Sequence, residues 1–344
     1  MNDGFIGNEY RFALSYDPFV FTTGHFEPGS ALAYCKSQKE QDKRSLGLAE
    51  LMYYRGDSAK AVSEFSHLLS GSGDDSSELA LADFFAPMCF LAGGSAWEFI
   101  RSYNGAKEKG QKLPPDSMLK KINDAFVLCL DILTHNVSDI HFPSVSIHEV
   151  FMPAMLKPIA FYIYARYLLE TGDVGRAIGI AESTLIFMEK PCPVAEIYLS
   201  LIISRGYMIR QMWDRAEHYF RHAWSLATPD GLLMPFAEHR AMLFGMLEKC
   251  LRYEEPEIYK KILRLANKYH RNWAYIHNEL TGESIADSLA AIEYNVASLA
   301  SRGMLNTEIA DFLGISVNSV RSHLRNVFNK LNVKSRKELS KYVI

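Results

Sequence analysis

The sequence predicts an all-α protein in which a long body of helical repeats precedes a smaller helical domain. Three observations support this fold class. Apolar residues recur at helical spacing through residues 45–275, and the alternation expected of strands is scarce. Three segments of this body repeat a pattern of helix, tight turn and second helix. Residues 306–331 then combine a short helix, a Gly-Ile-Ser turn and a longer amphipathic helix.

The repeated segments of the body are Leu48–Leu69, Phe161–Ile186 and Ile197–Leu226. The first two carry Gly-Asp-x-x-x-Ala at the turn, whereas the third keeps the Ala but lacks the Gly. The shared residues Ala61, Ala177 and Ala216 are 116 and 39 positions apart, and 116 is close to three times 39. These segments resemble tetratricopeptide-type repeats, although a period near 39 exceeds the usual length of about 34.

Two further units are needed between the first and second of these segments. Leu81–Tyr103 and Met118–Thr134 would supply their helices, joined by a Gly/Lys/Pro loop at Gly105–Pro115. Met242–His270 would form the last helix pair. We therefore expect a tetratricopeptide-like α-solenoid with degenerate repeats, and an irregular all-α domain is the alternative.

We divide the chain into an N-terminal arm or irregular segment (1–44), a helical-repeat sensor or interaction body (45–275), a linker (276–283) and a C-terminal domain (284–344). The arm contains Pro18, Pro28 and several Phe but little periodicity, so we expect it to pack on the body in an extended form. Because the predicted linker is short, we expect the C-terminal domain to be held against the body.

The C-terminal domain contains two helices joined by a tight turn. Glu308–Leu313 predicts a short helix that has Ile309, Phe312 and Leu313 on one face. Gly314 can adopt the positive φ that often follows a helix, and Ser316 is a good N-cap for the next helix. The second helix carries one continuous apolar stripe that must face a core, formed by Val320, Leu324, Val327, Phe328 and Leu331.

The opposite face of this second helix is polar and basic, with Asn318, Arg321, Ser322, Arg325 and Asn329. Arg can bind guanine through two hydrogen bonds and Asn can bind adenine, so this face suits the edges of DNA bases. Further basic residues that can lie along phosphates follow at Lys330, Lys334, Arg336, Lys337 and Lys341. This arrangement is that of a helix-turn-helix, whose second helix enters the major groove of double-stranded DNA.

The distribution of charge supports this interpretation over an ordinary amphipathic helix with a solvated basic face. Residues 312–344 contain seven Lys or Arg residues and one acidic residue, whereas residues 1–279 contain 29 basic and 34 acidic residues. The net charge of −3 for the whole chain would not by itself indicate a nucleic-acid partner. A basic end on an acidic body therefore predicts a local surface that binds phosphates.

About 289–344 is similar to the C-terminal domain of the LuxR/GerE/FixJ class of bacterial transcription regulators, a four-helix domain. The matching residues are Glu293, Val296, Leu299, Gly303, Asn306, Glu308–Ala310, Leu313, Ile315, Ser316, Ser319–His323, Lys330, Leu331, Val333 and Arg336. The resemblance implies that Arg321, Ser322 and Arg325 contact bases. Phosphate contacts are expected from Asn318, Ser319, Lys330, Lys334 and Arg336. The last helix often forms the dimer contact in this class, which implicates Lys337–Val343 with Leu339, Tyr342 and Val343.

The sequence departs from the class pattern at the start of two helices. The first helix usually opens with Leu-Thr/Ser-x-Arg-Glu, but here Ile292 replaces the Arg and any phosphate contact made there is in doubt. Ser284–Asp287 resembles a capping box, which would start this helix earlier. Leu305 replaces the Ser or Thr that usually caps the second helix, so we expect Asn306 to provide the cap.

The order of a helical-repeat body and this C-terminal domain resembles the downstream part of MalT-like regulators. Those regulators also contain a nucleotide-hydrolysing module, but this sequence has no Gly-x-x-x-x-Gly-Lys-Ser/Thr motif, so we predict no NTP binding. A nucleophile elbow, a kinase-like Gly-rich loop and a dinucleotide fingerprint are also missing. We therefore predict neither an enzyme nor a cofactor.

Several other features suggest chemistry less strongly than they suggest packing or a solvated surface. His218 and His222 have metal-ligand spacing, but without a third ligand we predict no metal site. His141 and His148 flank Pro143 and are expected in a loop. Five tyrosines can line a concave binding face, although packing between helices is favoured for each: Tyr162, Tyr164, Tyr167, Tyr198 and Tyr219.

Five widely spaced cysteines suit a reducing cytosol, and the sequence shows neither a signal peptide nor a membrane span. The longest uncharged run, Phe84–Trp97, is shorter than the roughly 18 apolar residues that a span requires. We therefore predict a cytoplasmic bacterial transcription regulator that binds DNA as a homodimer and senses a small molecule, peptide or protein through its body. The alternative is an interaction scaffold whose C-terminal domain mainly dimerises or anchors it.

Overall fold

The computed structural model describes residues 19–66, 84–115, 117–136, 156–243, 245–282, 289–313 and 315–343. Within these ranges the chain forms helices joined by turns, and none of the described residues belongs to a strand. The predicted all-α fold class is therefore confirmed. Predictions at His141, His148, Gly314 and Ser284–Asp287 lie outside the described residues.

Thirteen α-helices precede the C-terminal domain in the described part of the chain. They are α1 (Ala31–Lys36), α2 (Gln41–Tyr54), α3 (Ser58–Phe65), α4 (Ala86–Gly93), α5 (Ala96–Lys112), α6 (Met118–Leu133), α7 (Lys157–Glu170), α8 (Val174–Phe187), α9 (Pro193–Ile209), α10 (Trp213–Ala227), α11 (Met234–Glu238), α12 (Met246–Leu251) and α13 (Pro256–Thr281). Sequential helices pack as antiparallel pairs, among them α2 with α3, α7 with α8 and α9 with α10.

The three predicted repeat turns have one geometry. In each, a residue with positive φ follows the first helix, and the next backbone N–H bonds a carbonyl five residues earlier: Asp57 to Met52 (2.9 Å), Asp173 to Leu168 (2.8 Å) and Met212 to Tyr207 (2.9 Å). The Asp side chain of the Gly-Asp pair then caps the second helix, accepting from the backbone N–H three residues later at 3.3 Å in both cases. The sequence pattern therefore encodes a C-cap followed at once by an N-cap.

Residues 84–112 differ from their predicted arrangement. Gly94, with φ of 81°, divides the expected first helix into α4 and α5, and α5 continues to Lys112 where a loop was expected. Gly110 lies where α5 meets α6, and a Cβ atom there would be 2.4 Å from the Asn123 Oδ1 atom. This Gly therefore permits the close approach of two helices, and it does not break α5.

The N-terminal segment from Phe19 onward is fixed to the body by buried carboxylates. Glu50 on α2 accepts hydrogen bonds from the backbone N–H groups of Val20 (2.8 Å), Phe21 (3.1 Å) and Thr22 (2.6 Å). Asp230 accepts from two further backbone N–H groups, at Gly29 (2.6 Å) and Ala31 (3.0 Å). The predicted irregular arm 1–44 thus includes α1 and the first residues of α2.

The predicted linker 276–283 also differs from the structure. Residues 276–281 are the last turns of α13, and Ile276 and His277 are buried. The Trp273 Nε1 atom donates to the Leu133 carbonyl at 2.9 Å, and the His277 Nδ1 atom lies 2.7 Å from the Thr134 carbonyl oxygen. The amphipathic pattern of α13 continues because its last turns still have a partner, which is the end of α6.

The C-terminal domain contains α14 (Ala291–Ser301), α15 (Asn306–Leu313), α16 (Val317–Leu331) and α17 (Arg336–Leu339). Its α14 begins with Glu293 Oε2 accepting from the Ala290 N–H at 2.9 Å. At the start of α15, Glu308 Oε2 accepts from the Leu305 N–H at 2.7 Å. Asn306 does not provide the expected cap, because its Oδ1 atom accepts instead from Arg336.

The C-terminal domain is held against the body, as expected. Phe312 of α15 packs edge-to-face on Trp213 of α10, with ring centroids 4.9 Å apart. Tyr294 of α14 packs edge-to-face on His270 of α13 at 4.5 Å. Gly245, which has φ of 88°, lies so close to α15 that a Cβ atom would be 3.1 Å from the Phe312 carbonyl oxygen. Both α14 and α15 therefore contact the body.

Candidate nucleic-acid interface

The helix α16 begins at a serine cap that the sequence predicts correctly. Ser316 Oγ accepts from the Ser319 N–H at 3.0 Å and lies 2.9 Å from Ser319 Oγ. The helix ends at Asn332, whose φ of 51° places it in the left-handed region. These two ends set the length of the helix and orient its first three turns, which carry the base-contact candidates.

The apolar stripe of α16 forms the core of the domain. Val320, Leu324 and Val327 are buried, and Phe328 and Leu331 pack against the same core with part of their surface exposed. The helix contacts α14 on one side and α15 on the other. The stripe therefore fixes the rotation of α16 and directs its opposite face away from the domain.

The opposite face of α16 is exposed to solvent. The three base-contact candidates, Arg321, Ser322 and Arg325, lie together there at positions i, i+1 and i+4. Asn318 is exposed beside them, and its Oδ1 atom accepts from Arg321 Nη1 at 3.4 Å. The polar residues that the sequence singled out thus form one continuous surface, which the docked body leaves open.

Two of the five phosphate candidates take part in contacts within the domain. Lys330 Nζ donates to Glu293 Oε2 at 2.6 Å, which joins the end of α16 to the start of α14. Arg336 donates to the Met304 carbonyl at 2.5 Å and also to the Asn306 side chain. Burial raises the pKa of Glu293, but hydrogen bonds from Lys330 and the Ala290 N–H outweigh it, so the net shift is downward. Lys330 and Arg336 therefore brace the domain from within.

The other phosphate candidates differ in exposure. The side chain of Lys334 is exposed beyond the end of α16, and Ser319 is half-buried beside the Ser316 cap. Glu338 accepts from the Lys334 N–H at 3.4 Å, which turns the chain into α17. Lys334 thus lies exposed just beyond the C-terminal end of α16.

The dimer-contact candidates lie mostly inside the domain. Leu339 is fully buried and Val343 is 6% exposed, while Tyr342 retains part of its surface. The last helix covers only Arg336–Leu339, which is shorter than the expected 337–343. Of the three candidates, Tyr342 therefore offers the most surface to a second chain.

Sequence reasoning missed the contact between Phe312 and Trp213. The spacing of Ile309, Phe312 and Leu313 assigned all three to one inward face, but only Ile309 and Leu313 are buried in the domain. Ile309 and Leu313 are enough to bury a helix of only eight residues in the domain. The additional apolar residue, Phe312, was therefore the signal in the sequence that α15 contacts a second surface.

The described histidines, tyrosines and cysteines outside the C-terminal domain lie on the surface or pack between helices. His218 and His222 are exposed on α10, and the described residues contain no cluster of three or more metal-ligating side chains. Tyr162 and Tyr198 are buried with ring centroids 4.7 Å apart.

All five cysteines are free, and burial raises the pKa of Cys35 to about 12, which keeps it a thiol. Among the described helices, none combines the length and apolarity that crossing a bilayer requires.

Comparisons with known proteins agree with this geometry. The family described as bacterial regulatory proteins of the luxR family (GerE) matches residues 287–343. The "Probable transcriptional regulatory protein SgaR" of Hyphomicrobium methylovorum is 30% identical over 83 residues, which cover 24% of this chain and 39% of that protein. No solved structure matches the chain. The resemblance of the body to MalT-like regulators stays a prediction, whereas the C-terminal domain is a LuxR-family helix-turn-helix domain of the kind that bacterial transcription regulators use to bind DNA.

Proposed function

We propose that this protein is a cytoplasmic bacterial regulator that binds specific sites in double-stranded DNA and senses an effector through its helical body. The observation that supports it best is the exposed face of α16, which presents Arg321, Ser322 and Arg325 on a LuxR-family domain. Arg321 and Arg325 can each bind a guanine through two hydrogen bonds, and Ser322 can accept from or donate to a base edge. Asn318, Ser319 and Lys334 would hold the neighbouring phosphates.

A homodimer would place two copies of α16 in successive major grooves about one helical turn apart. Because the body contacts α14 and α15 and leaves the exposed face of α16 open, covering that face does not explain control. We propose that an effector acts instead on the orientation and pairing of two docked domains. It would do so by binding one arrangement of body and domain more tightly than the other.

The test is recovery of bound fragments from fragmented genomic DNA by the full chain and by Arg321→Ala. We expect the wild type to enrich a few sites and Arg321→Ala to lose about 1–3 kcal/mol on them, with relaxed specificity. Arg271→Ala, an exposed position on α13, is the matched control for loss of positive charge and should recover the wild-type sites. Equal recovery of the same fragments by wild type and Arg321→Ala would contradict the proposal and favour an interaction scaffold.

Lys334→Ala separates phosphate contacts from base contacts. We expect it to weaken binding to all sequences alike and to lower the dependence of log affinity on log salt by about one unit. Affinities measured at several salt concentrations on one recovered site and one unrelated sequence give both quantities. A scaffold whose C-terminal domain only dimerises would show neither change.

A further inference from the structure

A cavity of about 150 Å³ lies where the body meets α14 of the C-terminal domain. Residues of α7, α9 and α13 and of the segment 237–242 form the body side, and Tyr294, Asn295 and Arg302 form the side of the C-terminal domain. Because both units supply walls, the cavity is complete only while the domain is docked. A cavity of roughly this size can hold a ring as large as benzene.

The lining carries more positive than negative charge. Arg166, Arg205, Arg240 and Arg302 contribute guanidinium groups, and Glu170 and Glu238 contribute the carboxyl groups. Within this lining, Arg166 Nε donates to Glu170 at 3.0 Å, and Arg240 Nη2 donates to the neighbouring Glu248 at 2.6 Å.

Arg205 and Arg302 contribute to the cavity from opposite sides of the interface. Arg205 is buried on α9, whereas Arg302 is exposed at the end of α14. Burial and the nearby charge of Arg302 both lower the pKa of Arg205. An anion placed between the two guanidinium groups would offset this repulsion.

Polar atoms in the same lining are buried without a partner. Asn295 is 1% exposed, and neither its Nδ2 nor its Oδ1 atom has a hydrogen-bond partner among the described residues. The hydroxyl of Tyr269 is also buried and has no hydrogen-bond partner among the described residues. The side chain of Asn272, by contrast, has partners, because its Nδ2 atom donates to the carbonyls of Phe90 and Leu91. Leaving a buried polar group unsatisfied costs about 1–3 kcal/mol, so this lining is suited to a polar occupant.

We propose that the cavity between the body and α14 binds a small organic carboxylate. Its charge lies between Arg205 and Arg302, and its remainder contacts the Asn295 amide, the Tyr269 hydroxyl and the ring of Trp273. The assignment rests on the proposed function, because it names the class of effector that the body senses. A carboxylate that bridges both units binds the docked arrangement more tightly, so it raises the docked population and thereby changes how two domains present α16.

The experiment measures thermal unfolding and tryptophan fluorescence of the full chain with sodium benzoate or sodium pyruvate. Benzamide is the neutral counterpart of benzoate, and inorganic phosphate at equal ionic strength controls for a general effect of anions. We expect a carboxylate to raise the unfolding temperature with its concentration and to change the tryptophan fluorescence of the chain, because Trp273 lines the cavity. Arg302→Gln and Asn295→Ala should each weaken this binding about tenfold, because each loses hydrogen bonds to the ligand.

Arg271→Gln on the outer face of α13 is the matched control and should bind as the wild type does. The proposal is overturned if neither carboxylate acts at concentrations up to about 10 mM, where even weak ligands bind. It is also overturned if benzamide or phosphate acts equally, or if Arg302→Gln and Asn295→Ala leave the response unchanged. Circular dichroism shows which variants fold. If Arg302→Gln or Asn295→Ala does not fold, Arg205→Gln is tested in its place.

The outcome for the cavity is separable from the outcome for DNA binding. Arg321→Ala should respond to carboxylates as the wild type does, because Arg321 lies on the exposed face of α16 and away from the cavity. If the wild type binds carboxylates but recovers no DNA sites, the proposed function fails and the assignment of the cavity stands. If it recovers sites but ignores carboxylates, only the assignment of the cavity fails.

Discussion

The helical body and the C-terminal domain place their charged side chains in opposite ways. On α16 the charged residues are exposed and the core beneath them is apolar, with Val320 and Val327 fully buried. In the body, charged residues are buried at the centre and bond one another, tyrosine hydroxyls or the backbone, among them Glu50, Arg166, Glu238, Arg240 and Glu248. The α14 helix follows the pattern of the body, because its buried Glu293 and Asn295 lie on the sides that meet α16 and the cavity.

This difference has a physical consequence for how each region tolerates change. An apolar core holds a helix through many small contacts, so exposed charges on its far face can vary with the DNA sequence that is read. A buried charge requires its particular partners, because removing one partner leaves the other desolvated and unpaired. We therefore expect substitutions at the buried charges of the body to have the largest effects on stability.

Glu50→Ala should produce the largest effect. The substitution leaves the backbone N–H groups of Val20, Phe21 and Thr22 buried without their acceptor, and each buried donor left unsatisfied costs about 1–3 kcal/mol. Urea unfolding of the full chain should show an earlier transition of the body. Hydrogen exchange should show those three amides losing protection.

Glu64→Ala on α3 is the matched control, because Glu64 is exposed and its loss should change stability by less than about 0.5 kcal/mol. Equal unfolding midpoints for Glu50→Ala and Glu64→Ala would show that residues 19–22 are not held by the Glu50 carboxylate. The contrast between body and domain would then lose its strongest example.

Glu238→Gln should remove part of the pH dependence of stability. Burial raises the pKa of Glu238 to about 7, although hydrogen bonds from Tyr53 and Tyr198 lower it. Because the unfolded carboxyl titrates near 4.5, its stabilising contribution is full below that pH and is lost as pH rises through about 7. The loss from this group is at most about 3 kcal/mol.

Urea midpoints at pH 5 and pH 8 measure this effect. Relative to the wild type, Glu238→Gln should lose less stability, or gain more, between pH 5 and pH 8. The comparison of the two proteins carries the test, because burial lowers the pKa values of His135, His239 and His270, and these histidines add stability over the same range in both proteins. Some pH dependence should remain in Glu238→Gln, because burial also raises the pKa of Glu170 to about 7. Identical pH dependence in the two proteins would show that Glu238 is ionised throughout this range in the folded state.

The same contrast explains what the sequence could predict. The repeat turns were predictable because Gly56 with Asp57 and Gly172 with Asp173 act locally, within one turn of chain. The apolar stripe and the Ser316 cap of α16 were predictable for the same reason. These local rules identified the helical hairpins and the exposed face of the candidate site.

Features that depend on distant partners could not be predicted. Gly110 suggested a loop because its contact with Asn123 belongs to another helix. Lys330 and Arg336 were indistinguishable from phosphate-binding residues until Glu293 and Met304 were placed beside them. The cavity combines residues of both units separated by more than a hundred positions, from His135 to Arg302, so no local pattern marks it.

Ser316→Ala tests the local rules in the C-terminal domain. Loss of the hydrogen bond from the Ser319 N–H should destabilise the domain by about 1 kcal/mol, within the range of 0.5–2 kcal/mol for N-caps. The unfolding transition of the domain should shift while that of the body stays in place. Ser316→Thr keeps the cap and should restore most of the loss, whereas an equal loss in both variants would show that the cap is unimportant.

The smallest expected effect lies at the boundary between the two regions. Trp213 and Phe312 form one edge-to-face pair, and such pairs contribute about 0.5–1.5 kcal/mol beyond their buried area. A double-mutant cycle of Trp213→Ala and Phe312→Ala on the full chain measures this coupling directly. The cycle subtracts the stability that Trp213→Ala loses within the body and that Phe312→Ala loses within the C-terminal domain. A coupling near zero would mean that the domain is undocked in solution, and the cavity between α14 and the body would then be incomplete. A coupling in the expected range that rises when benzoate is added would link the docked arrangement to occupancy of the cavity, since a ligand that contacts both units must stabilise the contact that it bridges.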